Sequence, residues 1–168
     1  MGKKTIAALA LLMSLLPLSC GGGGTASTAS TPLVYTTSSG SVGPDYVYHE
    51  TVTITGNTME IDRTGGSSII TGDWKVTITS EEAARINELI ALISPISDGD
   101  IISDTGPLGG GTSEIRLNDS LTFTNGYVYD EATSSSKFHT FSQDVRNLAD
   151  YINTLLTKYG YDKKTFGS

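Results

Sequence analysis

Asp98, Asp100 and Asp104 fall close together in "SDGDIISDTG", and clustered carboxylates are what a calcium ion takes as ligands. The spacing does not complete a calcium loop. Counting Asp98 as the first ligand, Ile102 stands where the third belongs and Gly109 where a bidentate acid should close the site. The segment therefore reads as a solvated loop, with no metal expected. "GPLGGGT" (residues 106–112) has the glycines of a phosphate-cradling loop but no lysine, and a strand pattern rather than a helix follows it. It reads as a flexible linking loop. His49 and His139 are the remaining general-base candidates, each next to an aromatic residue and neither with a second histidine at ligand spacing. Nucleophile triads are recognised by geometry, yet no Gly-x-Ser-x-Gly context singles out a serine. A hydrolase using His49 or His139 is the weaker reading; no catalytic residue and no cofactor are expected. Tyr46, Tyr48, Tyr127 and Tyr129, paired at spacing two, suit a core or core-edge position better than an exposed strip for sugars or peptides.

These residues sit in a chain whose hydrophobic period changes three times. From Leu33 the period is two. "LVYTTS" is a first strand. "YVYHETVTIT" puts Tyr46, Tyr48, Val52 and Ile54 on one face and His49, Thr51, Thr53 and Thr55 on the other. Gly56-Asn57 is a two-residue hairpin signal, so residues 46–55 and 58–63 are expected to pair. "GDWKVTIT" gives Trp74, Val76 and Ile78 one face, and Ile69-Ile70 suggests a short strand before it. At Thr79 the period becomes helical: Thr79 and Glu82 have capping-box spacing, and Ile86, Leu89, Ile90 and Ile93 form a stripe ended by Pro95. "SEIRLN" and "LTFTNGYVY" alternate again around a turn at residues 118–120. A second helix starts near Ser142 with Val145, Leu148, Ile152, Leu155, Leu156 and Tyr159 on one stripe, and Gly160 placed to end it. The order strands, helix, strands, helix predicts an α+β two-layer domain over residues 33–160. One antiparallel sheet would carry both helices on one face. Residues 161–168 read as a frayed tail.

The amino terminus has a different composition. Lys3 and Lys4 precede an apolar run from Ile6 to Leu16, far short of the roughly 20 residues that span a bilayer. Pro17 breaks a helix, Ser19 offers the small residue a signal peptidase needs, and Cys20, the single cysteine, follows. This segment resembles a bacterial lipoprotein signal on Leu18, Ser19 and Cys20, although Pro17 occupies a place that the family prefers to be aliphatic. The resemblance implies removal of residues 1–19 by a cut between Ser19 and Cys20. It also implies a lipid on Cys20 as the partner through which the protein meets a membrane. "GGGGTASTASTP" (residues 21–32) then has nothing to bury and suits a flexible tether.

Beyond the signal, nine basic residues face eighteen acidic ones. That balance repels phosphate backbones, so a nucleic-acid partner is not expected. Across the body, Gly40, Gly43, Glu81, Glu82, Leu89, Leu148 and Ile152 fall in an order similar to that of emfourin-type protease-inhibitor-like domains, without their doubled first-loop glycine. That likeness implies a peptidase-binding module. The expectation is thus an envelope lipoprotein, in the outer membrane of a diderm source, whose domain binds a partner or ligand without catalysis.

Overall fold

In the computed structural model the described residues are 31–93, 100–107, 109–118 and 121–160. The cleavage and lipidation residues Ser19 and Cys20, the tether, Asp98, Pro95, turn residues 119–120 and the tail 161–168 lie outside them.

Among the described residues eight strands form one antiparallel sheet: β1 (Leu33–Ser38), β2 (Tyr48–Thr55), β3 (Thr58–Gly65), β4 (Gly72–Thr77), β5 (Ile101–Ser103), β6 (Thr112–Asn118), β7 (Leu121–Asp130) and β8 (Ser135–Thr140). Their spatial order is β4-β3-β2-β1-β6-β7-β8-β5. Helix α1 (Ser80–Leu92) stands between the two edge strands in sequence, and α2 (Gln143–Leu155) follows β8. The fold is α+β, in the order the hydrophobic periods predict.

The hairpin at Gly56-Asn57 forms as expected, with Thr55 opposite Thr58 and Val52 opposite Ile61. Gly56 takes φ of 57° there, a conformation in which a Cβ is costly. Inward residues of the central strands (Tyr35, Val52, Met59, Ile61, Ile115, Phe123) join Ile86 and Leu89 of α1 and Val145, Leu148, Ile152 and Leu155 of α2 in one buried cluster. Both helices therefore cover the same sheet face. The other face is rich in threonine and charge, including the exposed Lys75–Glu60 pair at 2.6 Å.

Three details differ from the sequence reading. Tyr46 is in a short 3-10 turn (Pro44–Tyr46) and is 60% exposed, because Pro44 opens a turn before β2 begins. Ile69-Ile70 forms no strand: Gly66 and Ile69 close a turn against Val47 and Gly66 carbonyls instead. Gly160 does not end α2 as a left-handed cap; α2 passes into a wide π-type turn, Leu156–Gly160.

The capping box of α1 is complete: Glu82 N–H donates to Thr79 Oγ1, and the Thr79 N–H donates to Glu82 Oε2 at 2.8 Å. Glu82 has a second task. Lys158 Nζ lies 2.7 Å from its Oε1 and Tyr159 donates its hydroxyl to Oε2 at 2.8 Å, so one carboxylate ties the start of α1 to the turn after α2. The bond from Lys158, with those from Thr79 and Tyr159, holds the carboxyl down to about 2. A lowered folded value means that the carboxylate's contribution is present above its ordinary range near 4.5. It is lost as pH falls from there toward about 2. Glu82→Ala is expected to lower unfolding free energy at neutral pH by about 1 kcal/mol, the size of a lost cap plus an exposed pair. Urea titrations of both forms at pH 7 and pH 3 should show the difference narrowing in acid.

Candidate binding site

Two rungs across the helix-covered face of the sheet define the site. The first runs Ile61–Val52–Tyr35–Ile115–Phe123 by direct strand register, and it is the core. Two residues further along each strand, the next rung on the same face runs Arg63–Glu50–Thr37–Ser113–Asn125. It is polar from end to end. The apolar stripe of α2 covers the first rung, while the second meets only the end of that helix. There the wall is made by Asn153, Leu156 and Thr157, and a cleft of about 450 Å³ opens between helix end and sheet. That volume lies in the range of small-molecule sites.

Glu50 is the unusual member. It is 5% exposed, and its nearest charge is Arg63, whose Nε lies 3.8 Å from Oε2. The separation is too long for a hydrogen bond, and Oε2, shielded from solvent, accepts none among the described residues. Burial pushes the Glu50 carboxyl above its ordinary value, and the Arg63 guanidinium only partly offsets this. The guanidinium lies over the Tyr48 ring, 4.7 Å from its centroid, a cation–π arrangement that holds it beside the cleft. Tyr35 reaches in from the first rung. Its hydroxyl accepts from Asn153 Nδ2 at 3.4 Å, and burial raises its pKa against the opposing bonds from Asn153 and Ser113.

The rim comes from close backbone packing. Ser41 N–H donates to the Gly109 carbonyl. A Cβ on Gly40 would run into Gly109, and one on Gly111 into the Ser38 carbonyl. Gly109 itself takes φ of 74°. The described part of "GPLGGGT" is therefore not the flexible link its composition suggests. It is a packed strap lying on the loop after β1, and only glycine permits so close an approach.

The other sequence candidates are placed elsewhere. Asp100 is no solvated loop residue: its Oδ1 accepts from Thr124 N–H at 2.9 Å and its Oδ2 is 2.9 Å from His139 Nδ1. It thereby fastens the approach to β5 onto β7 and β8. Asp104 is exposed. His139 thus has a carboxylate partner, but no serine hydroxyl is bonded to it among the described residues, and His49 is exposed on β2 at the opposite face from Glu50. Tyr127 and Tyr129 are not core residues, at 40% and 61% exposed. Tyr127 stacks edge-on against Phe138 at 5.1 Å and bonds both the N–H and the carbonyl of Gly106. Tyr48 alone of the four lines the cleft.

The alternation that found the hairpin already held the signal for Glu50 and Arg63. Glu50 shares parity with Tyr48, Val52 and Ile54, and Arg63 with Met59 and Ile61. An acid and a base on an otherwise apolar face, opposite each other across a predicted turn, mark a buried polar pair.

No family model, curated protein or solved structure matches the chain.

Proposed function

We propose that this protein is a lipid-anchored bacterial envelope protein whose single domain is a non-catalytic binding module, with its ligand seated in the Glu50 cleft. The observation that carries the binding reading is a carboxylate buried in a roomy polar cleft with no hydrogen bond on Oε2 among the described residues. A buried unpaired acceptor costs about 1–3 kcal/mol, and a ligand that donates to it recovers that loss. The anchoring part rests on the signal-like residues 1–20 and the tether that follows. Among the described residues no helix is long and apolar enough to cross a membrane. Gly21 after the cysteine favours the outer membrane of a diderm source, since an aspartate there commonly retains such proteins in the inner one.

The test is amide chemical-shift mapping on the full-length chain in a polyoxyethylene detergent, against separate neutral saccharides, amino acids and inorganic phosphate. Saturable shifts centred on Thr37, Glu50, Ser113 and Asn153 with at least one class support the cleft as the site. No shift there with any class overturns it.

A second reading, a peptidase-binding module, is favoured by the outward loop between β1 and β2, where Val42, Tyr46 and Val47 are exposed. Loss of inhibition of a metallopeptidase on Tyr46→Ala would support it, and absence of any inhibition by the unaltered chain removes it.

A further inference from the structure

We infer that the ligand of this cleft is a neutral, hydroxyl-rich molecule, a saccharide unit, an inference that rests on the binding-module reading. Among the described residues the charged groups of the lining are one acid and one base, Glu50 and Arg63, so together they offer no net charge to an ion. An anion entering beside Arg63 would face Glu50 as well, within a chain that beyond the signal carries twice as many acidic as basic residues. A cation entering beside Glu50 would face Arg63.

Apart from Leu156 and the backbone at Ser38 and Gly111, the rest of the described lining is hydroxyls and an amide. Tyr35, Thr37, Tyr48, Ser113 and Thr157 contribute side-chain hydroxyls, and Asn153 the amide. A hydroxyl is both donor and acceptor, so it remains able to bond even when already engaged: Thr157 donates to the Asn153 carbonyl and keeps acceptor capacity. Such a wall matches a ligand whose groups are themselves both donors and acceptors. Glu50 then accepts from one ligand hydroxyl while Arg63 donates to the oxygen of another. Among the described residues Leu156 is the single aliphatic side chain in the lining, which gives little apolar surface to an acyl chain or to the side chain of an apolar amino acid.

Titration of the full-length chain in polyoxyethylene detergent with glucose, N-acetylglucosamine and their β-linked disaccharides tests this, with glycine, arginine and inorganic phosphate as the alternatives. At least one saccharide should bind saturably at the cleft. Glu50→Gln should weaken it about tenfold, the worth of a hydrogen bond to a charged group. Asn153→Ala, on the exposed side of α2, should weaken it about threefold, and Lys75→Ala, on the other sheet face, should leave it unchanged. Binding of an amino acid or of phosphate at the cleft with no saccharide binding overturns the ligand class and leaves the binding-module reading standing. If no probe perturbs the cleft, both fall.

Discussion

Cys20→Ser is expected to move the protein from the detergent-requiring membrane fraction to the soluble or unprocessed fraction, a change of nearly all the molecules. Serine has no thiol from which to form the thioether. In lipoproteins of the kind that residues 18–20 resemble, the cut before the cysteine depends on the lipid, so the precursor should also accumulate with residues 1–19 attached. The size of the effect follows from chain burial. Each methylene in a bilayer is worth about 0.8 kcal/mol, and one chain holds marginally where two or more make release negligible. The body offers no substitute, since its excess of acidic residues is repelled by anionic lipid. Starting the mature chain at Gly21 behind an ordinary cleavable signal should give the same soluble product, now processed. A Gly21 form that still sediments with membranes and needs detergent to leave them would defeat the anchoring proposal.

Leu148→Ala is expected to cost about 3–4 kcal/mol of unfolding free energy, a large share of the 5–15 kcal/mol a domain of this size holds. Leu148 has no exposed surface and sits in the middle of the α2 stripe, between Val145 and Ile152, which are equally buried. Its removal leaves a void where helix, sheet and α1 meet, and close packing on all sides prevents collapse into it. Leu92 makes the contrast. It ends α1 on the outer side, 58% exposed, and Leu92→Ala should stay within about 0.5 kcal/mol. Chemical denaturation of both variants checks the pair. Equal losses would mean that the two helices do not pack on one shared face.

Periodicity made the helices and the first hairpin legible because each buries a regular stripe against the sheet. Ile86 and Leu89, or Val145, Leu148 and Ile152, are buried as their spacing requires. Three residues are too few to show alternation, and β5 has only Ile101–Ser103, held by pairing with β8 and by the Asp100–His139 contact rather than by its own pattern. The β8 sequence "SSKFHT" has one aromatic and no apolar alternation, so the position of His139 relative to Asp100, 39 residues away, could not be read locally. Asn125-Gly126 resembles a turn signal yet lies within β7. There Gly126, at φ of 146° with Thr112 closely against it, marks the place where pairing passes from β6 to β8. The cleft was half legible. The face on which Glu50 and Arg63 stand follows from strand parity, but the end of α2 that leaves them uncovered is a tertiary fact, as is the glycine strap at the rim.

The most direct measurement of the central claim, that Glu50 is a carboxylate held out of water and available to a ligand, is its own titration. Side-chain carboxyl carbon shifts followed against pH, assigned by comparison with Glu50→Gln, should give a midpoint above the ordinary value of 4.5, because burial outweighs the neighbouring guanidinium. Linkage fixes the accompanying sign. A raised folded value means that the folded state holds this proton more tightly than the unfolded chain does. The stabilising contribution is full below about 4.5 and lost as pH rises through the folded midpoint, and Glu50→Gln should remove that loss. This window lies above 4.5, apart from the acid limb set by Glu82. A saccharide that donates to the carboxylate should move the midpoint back down. A midpoint at or below 4.5 in the ligand-free protein, with no change in the stability profile on Glu50→Gln, would mean that the carboxylate is already solvated or satisfied and that the cleft holds nothing for a ligand to complete.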